Sequence, residues 1–375
     1  MIDDKQLFAR NLKRRRTELH LSQAKLAEML SYTGKAVSKW ESGSALPPAE
    51  VLPKLARVMD TDLNSLFDFR ESPSYFLGID GGGTKTRFVL TDADGKTLNC
   101  LSLGACNPSS VGIDVTLAVL NDGIKELCKD IPYGKISVFA GIAGCGVSRN
   151  AQKVLEDLER FRFSRVRVDS DAESIVAAGL CGKDGIIAIL GTGSIIYSSI
   201  GGKRHRIGGY GHFIGDIFSG SELGRACLEA VLYDLDGSGR HTSMTAKVTE
   251  QTGNDISAVL SKLYDKGKAY MASFAHFIFE CAAEKDAVAE EILENNIIKL
   301  ADKLSAALRM FPNAPKSVPI VLAGGITRQS DGFSEKLTSS ITDTRLCSIQ
   351  ILSKEPVFGA LMLAGAPINK ENSHA

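Results

Sequence analysis

The sequence has 375 residues, which is long for a single hydrophobic core and favours two or three domains. Its 44 basic and 44 acidic residues balance to a formal net charge of zero, so bulk charge indicates neither a nucleic-acid-binding nor a membrane-surface protein. No apolar run approaches the ~20 residues that span a bilayer, and the N-terminus lacks a signal-peptide pattern, which together predict a cytoplasmic protein without a membrane partner.

Short helices are predicted through the first part of the chain. Ser22 is a good N-cap for a helix over 23–30, and a second helix is predicted over 34–41. Apolar spacing turns Val37 and Trp40 of this second helix toward the core. Two more short helices are predicted near 49–59 and 62–67. The sequence therefore predicts a five-helix domain at 1–67, followed by a polar linker at 68–74.

The segment LSQAKLAEMLSYTGKAVSKWESG, from Leu21 to Gly43, resembles the Cro/phage-repressor (XRE) helix-turn-helix family, and the resemblance extends from Leu12 to Leu66, over the whole first domain. In this family the second motif helix enters the major groove of operator DNA, and dimers read two half-sites. The resemblance implies a homodimer. A helical docking or dimerisation module without DNA binding is the alternative. The implied DNA contacts are Gln23, Lys35, Ser38 and Lys39, with Arg14 and Arg15 on phosphates.

The hydrophobic period changes to that of strands from residue 75. An apolar run at 75–80 ends at DGGG, a strand resumes at 87–90, and a turn at 92–95 leads into a strand at 96–103. The same layout recurs as a strand at 186–190, a glycine loop at 191–194 and strands at 195–200 and 203–207. This internal repeat predicts two halves of similar topology, 75–185 and 186–370. Helices predicted at 115–129, 244–251 and 287–311 would pack on their sheets.

The two glycine loops are candidate phosphate-binding loops. The first could be an ordinary hairpin turn, and it lacks both the Walker A spacing and a following helix. A glycine loop between antiparallel strands can nevertheless cradle phosphate with its backbone N–H groups. Asp80, at the end of the first strand, suits a hydrated Mg²⁺ ion. Two such loops in one repeat indicate a phosphate-handling cleft.

Six motifs occur in the order in which N-acetylglucosamine and glucosamine kinases have them: GIDGGGTKT, VDSDAES, LGTGS, GGYGHFIGD, VLAGGI and EPVFGALMLA. Residues 75–368 therefore resemble these kinases, which belong with the BadF/BadG/BcrA/BcrD ATPases in the actin-like ATPase superfamily. The resemblance implies an α/β domain pair of the actin/hexokinase (ribonuclease H-like) fold, with ATP in an interdomain cleft. It also implies an amino-sugar substrate and a sugar-responsive transcriptional regulator.

The resemblance assigns roles to individual residues. Asp171 matches the general base, with Asp169 as a close rival, and Asp80 would hold Mg²⁺ through water. Either Asp171 or Asp216 could instead cap the helix that follows it. The phosphate and adenosine contacts would be Gly81, Gly82, Gly83, Thr84, Lys85, Gly191, Thr192, Gly193, Ser194, Gly324 and Gly325. The sugar contacts would be Asn107, Gly209, Tyr210, Gly211, His212 and Asp216.

The sugar motif departs from the family pattern at two positions. The family commonly continues as Gly-Asp-Glu-Gly-Ser, whereas this chain has Ile217 and Phe218 after Asp216. A catalytically weak, kinase-like sensor that controls a transcription factor is therefore the alternative. A dehydratase-activator ATPase would need cluster-binding cysteine motifs, which the eight scattered cysteines do not form, and a ROK-type kinase or repressor would need a Cys-rich zinc motif.

Overall fold

The computed structural model describes residues 4–67, 73–146, 149–253, 256–311, 317–329, 332–343 and 347–367 of the chain. Two units are distinguished by their internal contacts, Met1–Ser72 and Pro73–Ala375. The predicted linker at 68–74 lies outside the described residues except for its last two positions.

The first unit is all-helical because its apolar residues recur at helical spacing. Ser22 and Thr33 cap the second and third helices by accepting hydrogen bonds from the backbone N–H groups of Lys25 and Ala36. Trp40 is buried and lies 5.2 Å from the ring of Tyr32. The predicted bounds of these two helices are confirmed. The helices are α1 (Asp4–Glu18), α2 (Gln23–Leu30), α3 (Gly34–Glu41), α4 (Leu52–Val58), which a 3₁₀ turn at Ala49–Val51 precedes, and α5 (Leu63–Leu66).

Two five-stranded sheets form the second unit. The strands of the first are β1 (Tyr75–Gly81), β2 (Lys85–Asp92), β3 (Thr97–Gly104), β4 (Ile136–Ile142) and β5 (Arg165–Asp169). Those of the second are β6 (Gly185–Leu190), β7 (Ser194–Ile200), β8 (Lys203–Ile207), β9 (Val318–Ala323) and β10 (Cys347–Ile351).

The two sheets have the same topology. Their orders are β3-β2-β1-β4-β5 and β10-β9-β6-β7-β8. In each, the first three strands in sequence pair antiparallel and the last two add in parallel. The predicted repeat of strand, glycine loop, strand, turn and strand is therefore confirmed.

Helices cover both sheets, and α9 and α16 pack against each other. A Cβ atom on Gly359 of α16 would overlap the carbonyl oxygen of Ser174 in α9, so glycine permits this close crossing. Both helices also contact the first sheet. Asp171 is the first residue of α9, and Glu355 immediately precedes α16. The helices are α6 (Pro108–Val111), α7 (Ile113–Cys128), α8 (Arg149–Glu159), α9 (Asp171–Leu180), α10 (Gly220–Leu235), α11 (Met244–Thr252), α12 (Ile256–Ala272), α13 (Ala275–Ala283), α14 (Ala287–Leu308), α15 (Phe333–Ser340) and α16 (Pro356–Ala364).

Candidate functional site

The first glycine loop connects β1 to β2 as an antiparallel turn. The N–H of Gly82 donates to the carbonyl of Lys85 at 2.9 Å. Gly81 is buried at a place where the Cys106 sulfur leaves no room for a side chain. Gly83, Thr84 and Lys85 are exposed. The loop therefore presents an open backbone and one lysine to solvent, as phosphate binding requires.

Partly buried carboxylates lie beside this loop. The pKa of Asp80 is raised to about 7, mainly by burial and then by the negative charges of Asp171 and Glu355, while Lys85 partly offsets them. Burial also raises the pKa of Asp171, against the hydrogen bond that its Oδ1 accepts from the Ala172 N–H at 3.0 Å. A site that disfavours carboxylate charge in this way favours a proton or a bound cation.

Glu355 was not predicted as a site residue. It precedes α16, and its carboxylate lies 3.3 Å from Nε of Arg87, which faces Asp80 across β1 and β2. The EPVFGALMLA motif begins at this glutamate, so the sequence held a signal. The sequence did not reveal that α16 packs on the first sheet, because the whole second sheet lies between β5 and α16 in the chain.

The second glycine loop is tied to the start of α10. The carbonyls of Gly191 and Thr192 accept hydrogen bonds from the N–H groups of Gly220 and Ser221 at 2.8 and 3.0 Å. The Ser194 hydroxyl donates to the carbonyl of Ile217 at 2.6 Å. This loop is therefore fixed by its backbone, and the Ser194 hydroxyl holds the neighbouring loop.

The predicted adenosine motif lies directly against this loop. Gly324 has a φ of 105°, and a Cβ atom there would overlap the carbonyl oxygen of Leu190 and lie 3.1 Å from the N atom of Gly191. A Cβ atom added to Gly325 would have nothing within 4 Å. Only Gly324 is therefore required for the close approach of the two segments.

A cavity of about 550 Å³ lies between the two halves, within the roughly 300–1,000 Å³ typical of small-molecule sites. Six residues predicted for catalysis, phosphate or sugar line it: Asp171, Gly193, Ser194, Gly209, Gly211 and Asp216. The rival base Asp169 also lines it, as do Arg206 and Lys268, which sequence reasoning missed because neither lies in a glycine motif.

Asp216 is the buried acid of the predicted sugar loop. It is 8% exposed, and its Oδ1 accepts the N–H of Gly211 at 3.0 Å. The alternative that it caps a helix is wrong, because Ser219 caps α10. Asp171 is the first residue of α9, after the N-cap position occupied by Ser170.

Three predicted sugar contacts lie outside the lining of this cavity. The Asn107 side chain caps α6, accepting the N–H of Ser109 at 2.9 Å. Tyr210 is 65% exposed beneath the Arg206 guanidinium, 4.9 Å from it. His212 packs on the exposed ring of Phe213. Their direct contact with a sugar remains a prediction.

The helix-turn-helix surface is the second candidate site. Lys35, Ser38 and Lys39 of α3 are exposed, whereas Val37 and Trp40 are buried, as the apolar spacing predicted. This exposure leaves three polar side chains of α3 available to bases and phosphates.

The other predicted DNA contacts have partners within the unit. Gln23 donates to the Glu41 carboxylate at 2.8 Å, and Arg14 lies 3.7 Å from Glu18. Arg15 donates to the carbonyls of Met59 and Asp60 at 2.8 and 2.9 Å. These side chains would have to share or exchange partners to reach DNA.

Comparison with known proteins gives two family matches. Residues 77–364 match the BadF/BadG/BcrA/BcrD ATPase family, and residues 12–66 match a helix-turn-helix family. The chain is 28% identical to an N-acetylmuramic acid/N-acetylglucosamine kinase of Clostridium acetobutylicum, over 77% of this chain and 98% of the relative. It is 30% identical to an N-acetyl-D-glucosamine kinase of Dictyostelium discoideum, over 78% and 98%.

A solved structure described as an N-acetylglucosamine kinase, from Chromobacterium violaceum, superposes with a TM-score of 0.63 at 26% identity, covering 78% of this chain and all of that one. These matches confirm the predicted fold class. Within the described ranges, no helix has the length and apolar character needed to cross a membrane.

Proposed function

The chain belongs to the BadF/BadG/BcrA/BcrD ATPase family and carries an N-terminal helix-turn-helix domain, and on that premise we propose that it is an ATP-dependent amino-sugar kinase that regulates transcription. The observation that carries the kinase proposal is the cavity between the halves, where Asp171 and Asp216 meet the second glycine loop. The names of its relatives favour N-acetylglucosamine or glucosamine as the substrate class.

Asp171 is the proposed general base. It would accept the proton of a sugar hydroxyl while that oxygen bonds to the γ-phosphorus and the bond from phosphorus to the ADP oxygen breaks. Burial raises the pKa of Asp171, which makes this carboxylate a stronger base than an exposed aspartate. Asp216 would orient the sugar through its second oxygen, since Oδ1 already accepts the Gly211 N–H.

The residues present fit ATP and Mg²⁺. Asp80 is a partly buried carboxylate whose charge is disfavoured first by desolvation and then by two neighbouring carboxylates, so a divalent cation nearby would stabilise its ionised form. Among the described residues no cluster of three or more ligating side chains could hold a metal, but Mg²⁺ usually takes one or two carboxylates plus phosphates and water. When bound, Mg²⁺ neutralises charge on the transferring phosphoryl group.

Operator DNA is the proposed macromolecular partner, through Lys35, Ser38 and Lys39 on α3. We also propose a homodimer, because such units read two half-sites about 34–36 Å apart. Light scattering would contradict the dimer if the free protein had the 40.2 kDa mass of one chain and the complex had the mass of one chain plus one operator duplex. The eight free cysteines support a cytoplasmic location.

A ligand sensor without turnover is the second candidate. The departure at Ile217 and Phe218 favours it, because a carboxylate and a glycine of the family pattern are replaced beside Asp216. Both candidate functions include amino-sugar binding, but only a kinase converts ATP to ADP at a rate that depends on the sugar.

The test measures ADP release from Mg-ATP with N-acetylglucosamine, glucosamine, N-acetylmannosamine and glucose. We expect amino-sugar-dependent turnover that Asp171→Asn lowers at least about 100-fold, as expected for loss of a general base. Asp169→Asn is the matched control and should retain most activity. Loss in Asp169→Asn alone would reverse the assignment of the base. Sugar binding by calorimetry without turnover would establish the sensor instead.

A further inference from the structure

Phe218 has a backbone conformation that bulky residues rarely adopt. Its φ is 57°, in the left-handed region, which glycine occupies without steric cost. Its side chain is fully buried and stacks on Phe333, with ring centroids 5.0 Å apart and planes 13° apart. Such conformations persist only where the surrounding structure holds them, and they cluster at functional sites.

The residues around Phe218 connect the two ligand sites. Its N–H donates to the Glu222 carboxylate at 2.7 Å. The carbonyl of Ile217 accepts the Ser194 hydroxyl from the second glycine loop. Asp216, two residues before Phe218, lines the cavity and accepts the Gly211 N–H. Residues 216–218 therefore hydrogen-bond to both the predicted sugar loop and the second glycine loop.

The side chains that depart from the family pattern point into the core. Ile217 packs against the hydrophobic cluster that contains Phe218, and neither residue lines the cavity. Relative to the family pattern, the turn thus has an apolar side chain in place of one carboxylate and a buried aromatic ring in place of a glycine.

We propose that Phe218 is a positioning residue. Its stack on Phe333 holds the left-handed turn that places Asp216 in the cleft and the Ile217 carbonyl against Ser194. The KM measurement below rests on the proposed kinase function, whereas the hydrogen-exchange measurement does not.

The test is a double-mutant cycle in the full chain, with Phe333→Leu made in the native background and in Phe218→Gly. A glycine at 218 adopts a positive φ unaided, so it no longer needs the aromatic ring. We expect Phe333→Leu to raise the KM for amino sugar about tenfold in the native background, and less than about twofold in Phe218→Gly. Phe163→Leu, which breaks a buried aromatic stack in the first half, is the control for general loss of stability.

Hydrogen exchange of the peptide spanning residues 209–221 gives the ligand-free readout. The Gly211 amide donates to Asp216, and it should exchange faster in Phe333→Leu than in the native protein. In the double variant it should exchange at the same rate as in Phe218→Gly alone. Additive effects in the cycle, or changes no larger than those of Phe163→Leu, would overturn the inference. If no sugar is bound or turned over, the proposed function fails, and the exchange cycle still decides this inference.

Discussion

At the scale of single residues, Gly324 and Gly325 form a natural pair of test and control. Gly324 has φ and ψ of 105° and 163°, which essentially only glycine adopts, and its Cα faces the carbonyl of Leu190. We expect Gly324→Ala to lower the free energy of unfolding by at least about 2 kcal/mol, and to weaken Mg-ADP binding by moving the second glycine loop.

Gly325→Ala is the matched control, because nothing lies within 4 Å of the added carbon. Thermal unfolding and calorimetric titration with Mg-ADP measure both effects. Equal losses of stability in the two variants would show that the left-handed backbone and the overlap with Leu190 do not explain the requirement for glycine.

The exposure of single side chains could be predicted from the sequence, but their hydrogen-bond partners could not. The exposure of Lys35, Ser38 and Lys39 follows from apolar spacing within one helix, so it could be predicted. The partners of Gln23 and Arg15 could not, because Glu41 and Met59 lie far along the chain and meet them only in the folded unit. Motif patterns locate candidate functional residues, but they do not reveal the hydrogen bonds that these side chains make within the folded unit.

At the scale of elements, Asp286 joins the start of α14 to the start of α11. Its Oδ1 accepts the N–H groups of Val288 and Ala289, and its Oδ2 accepts both N–H and hydroxyl of Ser243 and the hydroxyl of Thr242. Burial alone would raise the pKa of Asp286, but these hydrogen bonds outweigh burial and hold the pKa below its ordinary value.

A lowered pKa in the folded state means that the ionised carboxylate stabilises the fold above the unfolded pKa of 3.8, and that this stability is lost as the pH falls through the folded pKa. We expect Asp286→Asn to cost about 1–3 kcal/mol at pH 7. The difference from the native protein should shrink below pH 3.8. Urea unfolding across this range measures it, with the exposed Asp302→Asn of the same helix as control. A constant difference at all pH values would contradict the ionic origin.

Element bounds were predictable where local pattern decides them. The strand over 203–207 follows a Gly-Gly turn, and the helix over 34–41 follows a threonine cap. β4 and β5 were not predicted, because they are short parallel strands whose neighbours come from distant segments. The helices around α12 were missed too, and Gly267 interrupts that helix with a φ of 59°.

At the scale of the whole molecule, the internal repeat was the sequence feature that best predicted the fold. Two copies of one topology place their glycine loops at equivalent edges of the two sheets. The cavity between the halves follows from that symmetry. The presence of Arg206 and Lys268 in its lining does not follow, since Arg206 lies in a repeated strand but outside the glycine loops, and Lys268 lies in α12, outside the repeat.

The connection between the two units allows a prediction about regulation. The predicted linker of residues 68–74 can span at most roughly 25 Å when extended. In the proposed homodimer, two half-sites about 34–36 Å apart would therefore restrict where the two tethered kinase domains can lie. If sugar and Mg-ATP close the cleft, the shape of those domains would change. Any resulting difference in ligand affinity between free and DNA-bound protein must appear as an equal change in DNA affinity between ligand-free and ligand-bound protein.

We therefore expect saturating amino sugar and Mg-ATP together to change operator affinity by about fivefold or more, a coupling of at least about 1 kcal/mol. The operator would first be selected from random duplexes with the full chain. Fluorescence anisotropy then gives the Kd with no ligand, with each ligand alone and with both. Asp216→Asn should abolish the response to sugar and leave the ligand-free Kd unchanged, while Lys35→Ala should weaken operator binding in every condition. Because the two variants separate sensing from DNA contact, an operator affinity that stays constant in all four conditions would mean that the two units share a chain without sharing a regulatory function.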